Sequence, residues 1–332
     1  MKEKRKTGIL QLAKNPKSIL GVIISMTGIY WAFIDFNFND FLLSIQQIDY
    51  IYLIMAALLL WSSVWLRGAR WKLLFPEKDS PSISSLYKAE MIGYFGNNVL
   101  PLRLGELLRS YIVGKENSLS KSFVFGTVVL ERLLDVLALA FLGLLLLFFY
   151  PNPIESDLKE KIMFMGVLSI VGISILFFIL SSMNITPTEN KVMKIIKKIV
   201  DGVLSIRKKM LLPIILTSLL IWFIYFMDVY LLQKAFQFNL SWSQILTVLV
   251  ISTMAISIPS APGMIGTFHF AVKKTMVSMF GFSANDGNSF AILMHAYGYI
   301  LFTILGAYYF LRSQFHKQAI DEVMKTESEN HR

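Results

Sequence analysis

The chain has 332 residues, of which 55% are apolar, 14% aromatic and 16% charged, with a mean hydropathy of +0.57. Apolar content is above, and charge well below, what soluble domains carry, which excludes a soluble two-domain protein and predicts an integral membrane protein. There is no cysteine, so disulfides and thiolate metal sites are excluded, and the net charge of +10 comes from basic residues beside apolar runs, which points to lipid head groups and not to nucleic acid.

Residues 1–17 carry Lys2, Lys4, Arg5, Lys6, Lys14 and Lys17, and no small-residue cleavage site follows the apolar run 18–34. That run is therefore expected to be a first span and not a cleavable signal, with the N-terminus in the cytoplasm. Loop 35–47 holds Asp35 and Asp40 without Lys or Arg, as an outer loop should. The run 50–66 leads back to Arg67, Arg70, Lys72 and Lys78, which read as an inner loop. The runs 123–150, 162–182, 211–232 and 289–311 also approach or exceed the ~18 residues of a membrane helix. Segment 190–210 gives the strongest inside signal, with Lys191, Lys194, Lys197, Lys198, Arg207, Lys208 and Lys209 against Asp201. Its apolar residues recur at helical spacing, which predicts a cytoplasmic amphipathic helix, either on anionic head groups or as a solvated connector.

These anchors constrain the remaining segments. Residues 83–114 must begin and end on the inner side, so they are expected to form a hairpin of two half-helices broken near 97–101. By the same logic residues 245–280 re-enter from outside, with a break near 259–263, and the basic stretch from Arg312 to Lys317 is inside. The fold class expected is an all-α polytopic membrane protein with about six full spans and two broken re-entrant hairpins. One transmembrane domain, 1–332, would contain two halves, 1–150 and 160–312, forming an inverted repeat. A Pro-x-x-x-Gly pattern recurs at the two breaks, Pro101 to Gly105 and Pro262 to Gly266. Transporters build midplane sites from such discontinuous helices.

Broken backbone within a bilayer must be buried in protein or line a wet cavity, and the free amides at a half-helix start favour an anion such as phosphate. This makes the two breaks, including Gly263 and Gly266, candidate substrate-binding sites. Arg103 adds a forked cation just after Pro101, with Glu106 one turn on to hold it. Asn97 and Asn98 either cap the helix start or donate to the ligand. Arg109 follows, and the next span carries Glu131, Arg132 and Asp135 inside an apolar run. Three arginines thus face three carboxylates, as a network that yields to a ligand phosphate or as a static clamp. In the second half, Asp228, His269 and His295 are candidates for a proton relay, with hydrogen-bonded packing as the alternative for the histidines. No metal site and no cofactor are expected.

Three stretches carry a resemblance. They are Asn98-Val-Leu-Pro-Leu-Arg-Leu-Gly-Glu-Leu-Leu-Arg-Ser-Tyr111, Val129-Leu-Glu-Arg-Leu-Leu-Asp135 and Pro259-Ser-Ala-Pro-Gly-Met-Ile-Gly266. Together they resemble the flippase-like family, the transmembrane region of lysylphosphatidylglycerol synthase, over nearly the whole chain. The resemblance implies movement of lipids across the cytoplasmic membrane of a prokaryote, aminoacylated phospholipids in fused members and other lipid-linked anions in some stand-alone ones, with the Pro-x-Arg-x-Gly-Glu and Glu-Arg-x-x-Asp segments as polar sites. In fused members a soluble domain performs aminoacyl transfer; only residues 312–332 follow the last span here, so synthase activity is not expected. His269 stands where the family often has an acidic residue.

Translocation of an anionic phospholipid or polyprenyl phosphate is the expected function, with membrane lipids and a lipid head group as partners. Homo-oligomerisation is left open. No Walker A loop is present, so ATP is not the direct drive. The alternatives are an intramembrane enzyme acting on a lipid phosphate, with Glu131 or Asp135 as acid or base, and a secondary transporter of a soluble anion.

Overall fold

A computed structural model describes residues 26–27, 30, 37–100, 103–149, 156–183, 190–257 and 262–313. Among these residues there are eleven α-helices and no strand, and the protein is an all-helical polytopic membrane protein. Most of the first apolar run, Pro101, Pro259 and the basic residues beyond Ser313 lie outside the described residues.

The helices are α1 (Phe38–Gln46), α2 (Tyr50–Lys72), α3 (Ile83–Val99), α4 (Gly105–Glu116) and α5 (Lys121–Phe149) in the first half. The second half has α6 (Ser156–Ser182), α7 (Lys191–Val203), α8 (Leu211–Ala235), α9 (Trp242–Ser257), α10 (Thr267–Lys274) and α11 (Ala284–Arg312). Among the described residues four stretches are long and apolar enough to cross a membrane: Tyr50–Lys72, Ile162–Ser182, Lys208–Ala235 and Ala284–Arg312. The 29 residues of α5 would span about 44 Å, longer than the hydrocarbon core, although Glu131, Arg132 and Asp135 interrupt its apolar run.

Three sequence expectations need correction. The expected outer loop 35–47 contains α1, started by Asn37, whose side chain accepts the Asn39 amide at 2.9 Å. More consequentially, the second span does not end at residue 66. It runs to Lys72, and Arg67 and Arg70 are 3% and 0% exposed inside the protein instead of lying in a loop. The amphipathic segment is also shorter than 190–210, since α7 stops at Val203 and a separate turn, Lys208–Met210, leads into α8.

α3 and α4 fold back on one another as an antiparallel hairpin. Gly96 lies against Gly105, Gly93 against Arg109, and at the open end Asn117 donates to Ser85 at 3.4 Å. Glycine is required at the closed end, because a Cβ on Gly105 would stand 2.0 Å from the Gly93 carbonyl oxygen. In the second half α9 and α10 pack together across the turn Pro262–Met264, and their Leu249, Phe268 and Val272 share one core with Phe290 of α11. A second core joins α2, α3, α5 and α8 through Trp71, Leu86, Val128 and Ile214.

The two breaks meet on α11. Asn98, at the end of α3, donates to Thr303 at 2.8 Å, while a Cβ on Gly263 would stand 2.6 Å from the Tyr299 ring. The breaks also share a backbone feature. Arg103 and Met264, each two residues after its proline, both have φ of +56°, in the left-handed region that residues with a Cβ avoid. The other two such residues, Ser118 and Gln237, follow helix ends, where the next amide bonds back across the last turn (Leu119 to Gly114, Phe238 to Gln233), as helix C-termini commonly do.

Candidate functional site

The charged residues of α2, α3, α4 and α5 converge in one buried network. Glu131 is its hub, with a fully buried side chain that all four neighbouring arginines reach. Arg67 bridges Glu131 at 2.7 Å and Asp135 at 3.1 Å, and Arg70 bridges the same two carboxylates at 3.3 and 2.7 Å. Glu131 and Asp135 are four apart on one helix face and would repel, so these two arginines are what allow both to stay buried. Arg109 pairs with Glu106 at 2.7 Å, with Glu131 at 3.1 Å and with Glu90 of α3, while its guanidinium stacks on Trp71 at 4.7 Å. Arg132 is the most open of the four, with a side chain 33% exposed, and touches Asp135 and Glu131 at 3.4 Å and Glu106 at 3.9 Å. α8 is tied in by Ser218, 3.2 Å from Arg70, and by Tyr225, 3.4 Å from Arg67.

Glu106, Arg109, Glu131, Arg132 and Asp135 are therefore brought together. Arg67, Arg70 and Glu90 join them, and the sequence reading missed all three. A signal existed for the first two, which stand three apart on one helix face around Gly68 and beside Trp71, flanked by apolar residues. Positive-inside counting treats any arginine near the end of a span as a loop charge, so it hid them.

Arg103 stands apart. It is half-buried, its Nε has no hydrogen-bond partner, and it forms no ion pair among the described residues. The expectation that Glu106 holds Arg103 is corrected, because Glu106 is taken by Arg109. The left-handed backbone at Arg103 places it before α4 and not on its first turn. Glu106, Arg132 and Arg109 are among the charged groups that act on it electrostatically. With Arg103 the region holds five arginines, Arg67, Arg70, Arg103, Arg109 and Arg132, against four acids, Glu90, Glu106, Glu131 and Asp135. The start of α4 has no side-chain cap, so its first amides point out of the helix unanswered by a cap.

The two asparagines divide. Asn97 is buried and donates to Glu106 at 3.4 Å, leaving its own Oδ1 without a partner next to Gly105. Asn98 turns to α11, and neither caps α4.

At the second break Gly263 faces the Tyr299 ring, and the Gly266 amide donates to His269 Nδ1 at 3.4 Å. His269 thus closes the start of α10 as an acidic N3 residue would. His295 lies against His269 and Phe268, with ring centroids 4.9 and 5.0 Å away. Asp228 is hydrogen-bonded to Tyr297 at 2.6 Å and to neither histidine, so the structure does not join the three relay candidates. Among the described residues no group of three or more His, Cys, Asp or Glu is placed to hold a metal ion.

Residues 18–306 match the family described as the lysylphosphatidylglycerol synthase TM region. The chain belongs to this family. Its match to the lysylphosphatidylglycerol synthase TM region takes in both hairpins and the whole arginine–carboxylate network, and concerns a membrane region and not a soluble catalytic part. The chain is also 27% identical over 183 residues to a UPF0104 membrane protein of Methanocaldococcus jannaschii, covering 54% of this chain and 77% of that protein. No solved structure matches it.

Proposed function

We propose that this member of the lysylphosphatidylglycerol synthase TM-region family translocates an anionic lipid across the cytoplasmic membrane of a prokaryote, with Arg103 as the residue that takes the head-group phosphate. The supporting observation is that, among the described residues, Arg103 is the one arginine of the cluster without an ionic partner, set at the uncapped start of a broken helix. Arg67, Arg70 and Arg109 are committed to carboxylates and hold the hairpin in shape, while the more open Arg132 lies between the two groups.

In this cluster the arginines outnumber the acids, which favours an anionic head group, whether on a phospholipid or on a polyprenyl-phosphate-linked lipid. The head group crosses beside the breaks while the lipid tails stay in the bilayer.

The test is translocation in proteoliposomes, comparing a fluorescent phosphodiester lipid, a polyprenyl phosphate and free inorganic phosphate. A lipid phosphate should move, and Arg103→Gly should slow it about tenfold or more, the loss of one charge-assisted contact of roughly 1.5–3 kcal/mol. Phosphate uptake without lipid movement would indicate a soluble-anion transporter, and a chemically altered lipid recovered by mass spectrometry would indicate an enzyme. Either result sinks the translocase proposal.

A further inference from the structure

Outside the arginine network, one buried acid has no cation to answer it. Asp228 is 6% exposed and lies within Lys208–Ala235, one of the four stretches able to cross a membrane. Its Oδ2 is 2.6 Å from the Tyr297 hydroxyl on α11, and its Oδ1 has no hydrogen-bond partner. No lysine, arginine or histidine among the described residues forms an ion pair with it, in contrast to all four carboxylates of the network.

A carboxylate held this way in an apolar interior is unstable as an ion and is relieved by taking up a cation or a proton. One hydroxyl and two carboxyl oxygens fall far short of the six or more oxygens that a cation such as Ca²⁺ gathers. A proton needs only the single contact that is present.

We infer that Asp228 and Tyr297 form a proton-binding site, filled while α8 and α11 are closed on one another as they are here. Among the described residues no charged side chain on the surrounding elements bonds Asp228. Besides Tyr297, α11 carries Asp286, His295, Tyr299, Tyr308, Tyr309 and Arg312, with His295 against His269 of α10, which also carries Lys273 and Lys274. α2 carries Tyr50, Tyr52, Arg67, Arg70 and Lys72, of which Arg67 and Arg70 pair with Glu131 and Asp135 of α5. On α8 itself Tyr225 bonds Arg67, and Lys234 lies over the Tyr230 ring at 5.8 Å. α9 carries no ionisable side chain.

The placement also gives the proton a mechanical consequence. α8 supplies Ser218 to Arg70 and Tyr225 to Arg67, so a shift of α8 that wets Asp228 and frees its proton would pull on two hydrogen bonds of the network. That coupling rests on the translocase proposal; the protonation does not.

Infrared titration of the full chain in nanodiscs, in H2O and in deuterated water, reads a protonated buried carboxyl with no substrate present. The expected result is a deuteration-sensitive carboxylic carbonyl band at neutral pH that is lost in Asp228→Asn and displaced in Tyr297→Phe. Both variants are near-isosteric, and an unchanged melting temperature shows that they are folded. If wild type and Asp228→Asn give the same carbonyl region at neutral pH, the site is overturned. Lipid transport under an imposed pH gradient is then compared: the wild type should respond and Asp228→Asn should not. With the band present but transport indifferent to the gradient, the proton site stands and the coupling falls. With the band present and no lipid moved under any condition, the proton site stands and the translocase proposal falls.

Discussion

The division between clamping arginines and a free one is testable through stability alone. Arg109→Gln removes the cation shared by Glu90, Glu106 and Glu131, leaving two buried carboxylates and the half-buried Glu106 with one partner fewer. Breaking a buried ion pair from one side costs about 3–5 kcal/mol. At about 2 °C per kcal/mol for a chain of this size, the melting temperature should fall by roughly 6–10 °C. The double variant Arg109→Gln/Glu106→Gln should recover roughly 0.5–3 kcal/mol of that loss, because the two residues are in contact.

Arg103→Gly should behave in the opposite way. No ion pair is lost, and a left-handed torsion that costs about 1–2 kcal/mol for a residue with a Cβ becomes free of strain. Its melting temperature should stay within about 2 °C of wild type or rise slightly. The assay is the fraction of protein remaining monodisperse after heating in detergent, read by fluorescence-detected size exclusion. If Arg103→Gly falls as far as Arg109→Gln, Arg103 is part of the clamp and the reasoning about a free cation is refuted.

Two further outcomes are expected. Gly126 of α5 and Gly202 of α7 lie so close that a Cβ on either would approach backbone oxygen at 2.2 Å, so Gly202→Val should detach α7 and speed tryptic cleavage at Lys191–Lys198; unchanged cleavage would mean that α7 is held elsewhere. Glu77 bonds Lys209 and also pairs with Arg207 at 3.0 Å, and these contacts hold its carboxyl below the ordinary glutamate value. A lowered folded-state value stabilises at pH above the unfolded value of about 4.3 and is lost as pH falls through the folded value, so Glu77→Gln should lower the melting temperature at pH 7 and match wild type in strong acid. Equal melting temperatures at both pH values would mean that the Glu77 contacts add no stability.

Much of the architecture was legible because bilayers impose simple rules. Long apolar runs and alternating loop charge located most helices, and the need for residues 83–114 to return to their starting side predicted a helix break that the α3–α4 hairpin contains. The acidic half of the network was visible too, since Glu131 and Asp135 interrupt an apolar run at helical spacing. Its basic half was not, because Arg67 and Arg70 end a span, where loop arginines also cluster. Glu90 escaped for a related reason: it sits in a polar stretch of α3, and only the fold turns it toward Arg109. Which of Arg103 and Arg109 would pair with Glu106 was also beyond sequence, since spacing of three allows either. The left-handed torsion at residue 103 decided it.

That torsion has a counterpart at Met264, where neither charge nor size matches arginine. The path of a chain through a sharp reversal is dictated by its dihedrals, and a side chain can change completely while the route persists. Two stretches with little residue identity can therefore descend from one ancestral corner and still record it as paired angles. In proteins doubled long ago, a catalogue of matching dihedral outliers would detect kinship that alignment misses.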